Sequence, residues 1–164
     1  MPLSPWTQET QPLPLAQIPE PSHSLLAQAS ILTPHLEAYH QDTIRLKTVT
    51  AQIEAGWLTR RVLLCLESDA RVVELGAIRV ALDHLPDQLR EATLAGKRAF
   101  GSLLDQAKFP YQAGKQVFFS VEAQDLINPP PLPKKQKQLY GRTHDILTPE
   151  GEALAFSSEI LTGL

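Results

Sequence analysis

Arg60 and Glu159 are the two side chains whose type and placement could do chemistry. Arg60 lies in Trp57-Leu58-Thr59-Arg60-Arg61-Val62-Leu63-Leu64-Cys65-Leu66. This apolar run, bounded by Gly56 and by Glu67-Ser68-Asp69, predicts a strand. Strand side chains alternate between faces, so Arg60 shares a face with Leu58, Val62, Leu64 and Leu66. A permanent cation on an apolar face is costly unless an anion meets it, from the protein or from a ligand. Glu159 lies in another predicted strand, on a face with Ala153, Ala155, Ser157 and Leu161. Small side chains leave volume above the sheet there, which a pocket needs. The alternative is a face packed on a helix, with Glu159 at its edge in solvent.

Other residues are weaker candidates. Gly96-Lys97-Arg98-Ala99-Phe100-Gly101 links two predicted helices. A helix starting near Phe100 would offer backbone N–H groups to a carboxylate, and Gly101 would allow close approach. An ordinary helix connection looks the same. Arg79 shares a face with Val73, Leu75 and Ala77, as an inward cation or a strand-end residue. Arg142 shares a face with Tyr140, His144 and Ile146, and His144 reads as an exposed strand residue rather than a base. Cys65 reads as a packing residue. The five histidines lack metal-ligand spacing, and there is no glycine-rich phosphate loop.

The elements that must position these groups read as α+β. Strands are predicted over Thr43–Ile53, Trp57–Leu66, Arg71–Leu82, Lys115–Ala123, Leu139–Leu147 and Glu152–Leu161. Successive strands joined by short turns imply an antiparallel sheet. Helices are predicted after Thr33-Pro34, a capping hydroxyl followed by proline, and over Asp83–Ala95, which Gly96 stops. Shorter ones cover Ser24–Ala29 and Phe100–Ala107. Residues 1–22 hold six prolines and read as an extended or mobile leader to a domain over 23–164. Asn128–Lys137 reads as an exposed Pro/Lys loop.

The chain has 164 residues, 43% of them hydrophobic, enough for one domain with a real core. A net charge of -3 gives no bulk reason to expect nucleic acid. No apolar run approaches the ~20 residues of a membrane span, and no secretory signal opens the chain. One cysteine excludes an intramolecular disulfide. The expectation is a soluble, cytoplasmic monomer.

Four segments resemble the chorismate pyruvate-lyase family. Trp57 to Cys65 is similar to its tryptophan–leucine–arginine–leucine strand, and Ser30-Ile31-Leu32-Thr33-Pro34-His35-Leu36-Glu37 to its flap and helix start. Gly96 to Gly101 matches its glycine–lysine connection. Leu139-Tyr140-Gly141-Arg142 followed by Ser158-Glu159-Ile160-Leu161 matches its final hairpin. Order and spacing agree over residues 25–162.

The resemblance implies a single six-stranded antiparallel sheet with helices packed on one face and a ligand site under flaps. It also implies a cofactor-independent lyase that converts chorismate to 4-hydroxybenzoate and pyruvate for quinone biosynthesis. By position, Arg60 takes the carboxylate-binding role, Phe100 the backbone N–H contact beside Gly101, Leu32 the apolar flap and Glu159 the catalytic carboxylate. Glu159 in an apolar site should then have a raised pKa and act as general acid. The family's second arginine would fall at Ala77, after Gly76, and Arg79 is the candidate replacement. The chain also stops at Leu164, shortly after the Glu159 strand. The alternative is a non-catalytic effector-sensing domain of the same fold. Such domains normally follow a DNA-binding module, whereas a Pro-rich leader precedes this one.

Overall fold

The structure, a computed structural model, describes residues 6–28, 31–133 and 135–164. Residues 1–5 of the leader, Ala29 and Ser30 of the helix-to-flap segment, and Lys134 of the Pro/Lys loop lie outside the described residues.

Seven antiparallel strands form one sheet: β1 (Gln11–Pro12), β2 (Ile44–Glu54), β3 (Trp57–Leu66), β4 (Val72–Ala81), β5 (Gln112–Glu122), β6 (Gln138–Leu147) and β7 (Ala153–Leu161). Their order is β1-β5-β6-β7-β4-β3-β2. Six strands match the expected set. The seventh, β1, is a two-residue edge strand contributed by the leader, and the edge is where a proline is tolerated in a sheet. A two-residue turn joins β2 to β3, with both Ala55 (φ 51) and Gly56 (φ 79) left-handed. That geometry suits the twist of a tight hairpin.

Four helices are α1 (Ser22–Leu26), α2 (Thr33–His40), α3 (Asp87–Ala95) and α4 (Phe100–Gln106). Gly96, at φ 66, ends α3 as its sequence predicts. Pro34 sits in the first turn of α2, but Leu32 occupies the cap position and no side chain caps the helix. The expected Thr33 cap is not made.

Both faces of the sheet are covered. On one, Leu58, Ile78 and Val80 pack against Leu89 of α3 and Leu104 of α4. Leu64, Leu66 and Leu161 continue that face against Leu26 of α1 and Leu36 of α2. On the other face Leu63, Cys65, Leu75, Ala77 and Ile160 lie under Trp6, Leu126 and Leu132. Cys65 is thus a packing residue, its thiol pKa raised by burial despite Arg45 and Lys47. No helix among the described residues is long and apolar enough to cross a membrane.

The described part of the leader lies against the domain. Trp6 is 1% exposed, its indole N–H donates to the Gly76 carbonyl at 2.7 Å, and the Arg61 guanidinium sits 3.9 Å from its ring centre. The Ile127 N–H donates to the Trp6 carbonyl at 2.8 Å. Burial on this scale makes Trp6→Ala cost about 3–5 kcal/mol, read as a lower urea midpoint. An unchanged midpoint would show that the leader stabilises nothing.

Candidate ligand pocket

Between the helical face of the sheet and the α2 and α4 starts lies a cavity of about 70 Å³. A single water needs roughly 10–15 Å³, so there is room for a small organic group. The floor comes from β3, β4, β6 and β7, whose register sets which side chains point upward. Arg60 pairs with Ile78, Val62 with Gly76, and Leu64 with Glu74. Gly76 pairs with Glu159 and Ile78 with Ser157; Arg142 pairs with Glu159 and His144 with Ser157. Arg60, Glu74, Arg142, His144 and Glu159 therefore share one face around Gly76, the residue without a side chain.

Arg60 is where its strand pattern puts it, 3% exposed and lining the cavity. No carboxylate forms an ion pair with it among the described residues. Its Nη1 donates to the Thr93 carbonyl at 3.0 Å and its Nη2 to the Arg98 carbonyl at 3.3 Å. Thr93 is in the last turn of α3, at the negative end of the helix dipole, and its carbonyl also accepts the Gly96 N–H at 3.2 Å. These carbonyls offset part of the charge. Arg60 Nε is buried with no hydrogen-bond partner. Burial lowers the Arg60 pKa below the usual arginine value, which favours any anion brought beside it.

Glu159 also faces the cavity, but it is engaged on both oxygens. Arg142 Nε donates to Oε2 at 2.7 Å, and His144 Nε2 lies 3.0 Å from Oε1. An ionised carboxylate only accepts, so His144 carries a proton on Nε2. Burial pushes the Glu159 pKa up, but the His144 hydrogen bond and the Arg142 charge together outweigh it and hold it at about 2. The expected raised pKa and general-acid role do not hold: Glu159 is an anion at neutral pH with no proton to give. Arg142 is 0% exposed and continues beyond Glu159 to the Leu26 and Gln28 carbonyls, at the end of α1 and beyond it. One ion pair thus joins the pocket floor to the segment that leads into the flap.

Three functional side chains escaped the sequence reading. Arg142 was placed on the correct face without its partner. His144 was read as exposed, yet its side chain is only 11% exposed. Glu74 was not singled out; it is 5% exposed, lines the cavity, and its Oε1 has no hydrogen-bond partner. Burial raises its pKa well above the carboxylate range, the Glu159 charge adds to this, and Arg142 opposes it.

Leu32, Phe100 and Gly101 line the cavity as expected from their positions. Phe100 is buried at the first position of α4, which has only seven residues. A Cβ on Gly101 would lie 2.7 Å from Ile31, so the glycine admits the flap side chain. Arg79 is elsewhere. It pairs with Thr59 and Phe156 on the face opposite Arg60, with its guanidinium 4.6 Å from the Trp57 ring centre. Ala77 has its side chain in that opposite core too, so neither residue presents a second arginine to the pocket.

No protein-family model and no curated protein matches the sequence. Among solved structures, the chain is similar to the effector domain of PhnF from Mycobacterium smegmatis. The TM-score is 0.55 at 10% identity, over 83% of this chain and 90% of that one. Against PhnF itself the TM-score is 0.53 at 11% identity, over 84% of this chain. The chain spans 65% of that structure's length. The likeness shows the fold: the α+β, chorismate lyase-like architecture shared with that effector domain. It also overturns the enzyme expected from the family resemblance. The similar structures found are PhnF and its effector domain, not a chorismate lyase, and the pocket's carboxylate is ionised and engaged on both oxygens.

Proposed function

We propose that this chain is a non-catalytic sensing domain that binds a small organic anion in the cavity beneath Ile31 and Leu32. The observation that carries this reading is Arg60. It is a buried guanidinium with an unpartnered Nε, at the wall of a cavity whose apolar lining includes Val62, Leu64, Ile78 and Phe100. The Thr93 carbonyl of α3 and the Arg98 carbonyl of the α3–α4 connection hold the guanidinium in place and leave Nε for a ligand. The apolar walls favour a carboxylate on a compact hydrocarbon or aromatic body. Glu159, Arg142 and His144 form a fixed polar base that orients the ligand without exchanging a proton with it. The effector-domain fold of PhnF supports the same class of function.

The test is calorimetric titration of the purified chain with benzoate and 4-hydroxybenzoate, beside a pyruvate-release assay on chorismate. Saturable one-to-one binding and no pyruvate are expected. Absence of binding by all small carboxylates tried, or turnover of chorismate, would sink this reading.

A further inference from the structure

Two polar atoms in this cavity are buried and unpartnered, and they are complementary. Arg60 Nε is a donor, and Glu74 Oε1 belongs to a carboxyl group. Both residues are more than nine-tenths buried and line the same space. Glu74 precedes Gly76 by two residues on the same face of β4, and a Cβ on Gly76 would lie 3.2 Å from Glu74 Oε2. The carboxyl therefore leans across the bare backbone of Gly76 toward the row of Arg60. A buried polar group left without a partner costs about 1–3 kcal/mol, so two in one cavity point to an occupant that satisfies both.

We infer that Glu74 is a second ligand-binding residue of this pocket: its carboxyl O–H donates a hydrogen bond to an oxygen of an organic acid whose carboxylate meets Arg60. This rests on the sensing reading of the pocket and adds its chemical selectivity. The charges around Glu74 decide between its two forms. From β7 it faces the Glu159 anion; from β6, Arg142 and His144; from β3, Arg60. From the flap and the starts of α2 and α4 it faces Ile31, Leu32, Thr33, Phe100 and Gly101, none of which titrates. Arg142 is already neutralised by Glu159. A second carboxylate beside Glu159 is disfavoured, so Glu74 holds its proton and the pocket keeps the Arg60 charge for a monoanion. An incoming anion strengthens that preference. A ligand amine would instead have to ionise Glu74 beside Glu159 and lie near Arg60.

The experiment is benzoate titration of the full chain from roughly pH 5 to 9, in wild type, Glu74→Gln and Glu74→Ala, with benzylamine as the cationic comparison. Glutamine donates as the neutral acid does, but it does not titrate. Wild-type Kd should rise about tenfold per pH unit once the Glu74 carboxyl loses its proton. Glu74→Gln should bind within about threefold of wild type at the acid end and stay flat with pH, while Glu74→Ala is weaker by about tenfold or more at the acid end. Thermal melts of each variant confirm folding. If Glu74→Gln binds as poorly as Glu74→Ala, or keeps the wild-type pH profile, or if benzylamine binds better than benzoate, the inference is overturned while the pocket stands. If wild type binds neither benzoate nor benzylamine, the sensing reading itself fails, and this inference with it.

Discussion

Glu159→Gln lowers the thermal unfolding midpoint by about 6–20 °C. Removing one partner of a buried ion pair costs about 3–5 kcal/mol, and each kcal/mol moves Tm by roughly 2–4 °C in a domain of this size. The cost arises because Arg142 is 0% exposed and would keep its charge without the carboxylate. Its two carbonyl contacts beyond α1 would weaken as the guanidinium readjusts. The pH profile gives a second readout. Glu159 falls from its ordinary 4.5 in the unfolded chain to about 2 in the folded one. Its contribution is present above pH 4.5 and is lost as pH falls toward 2, a loss on the order of 3 kcal/mol. Glu74, raised on folding, has the opposite sign: its contribution is full below 4.5 and declines as pH rises through its folded pKa. Glu159→Gln should flatten the acid limb and also reduce the Glu74 contribution, because the Glu159 charge helps to raise the Glu74 pKa. A Tm within about 2 °C of wild type would show that the Arg142–Glu159 pair contributes little to stability.

Arg60→Met weakens carboxylate binding by about 10–150-fold, the loss of a charged hydrogen bond worth about 1.5–3 kcal/mol. Methionine keeps much of the stem's volume, which separates this loss from a collapsed wall. The substitution also removes the hydrogen bonds from the guanidinium to the Thr93 and Arg98 carbonyls, so a fall of several degrees in Tm accompanies it. Arg60→Lys restores charge but not the fork that reaches both carbonyls while directing Nε inward, so it recovers binding only in part. Calorimetry on the folded variants reads the effect. Unchanged benzoate affinity in Arg60→Met would make the guanidinium a helix-end clamp and nothing more.

The strands were legible because they are long, β-branched and separated by strong turn signals. The direction of Arg60 follows from alternation alone, since on its face of β3 it is the one cation among Leu58, Val62, Leu64 and Leu66. Alternation also grouped Leu75, Ala77 and Arg79 correctly, but it does not reveal which face holds the pocket. β4 is buried on both faces, so its burial carries no period, and only its pairing with β3 places Ile78, rather than Arg79, beside Arg60. Glu74 stayed unnoticed for the same reason, one residue out of phase with the odd-numbered face. The Arg142–Glu159 pair needed a register that no hairpin rule supplies. An irregularity between Ile146 and Leu147 shifts the pairing, and without it Arg142 would face a serine. The Glu159 ionisation state, read from one strand as apolar surroundings, depends on that shift.

Gly76 is touched from both sides of the sheet, and the consequence is optical. Its missing side chain opens the pocket on one face, while on the other its carbonyl accepts the Trp6 indole N–H. Indole emission responds to that hydrogen bond, and the chain holds only one other tryptophan, Trp57, stacked on Phe156. A ligand that settles over Gly76 therefore perturbs a fluorophore one peptide thickness away, without meeting it. Trp6 is thus a built-in dye for occupancy of a cavity that it does not itself line.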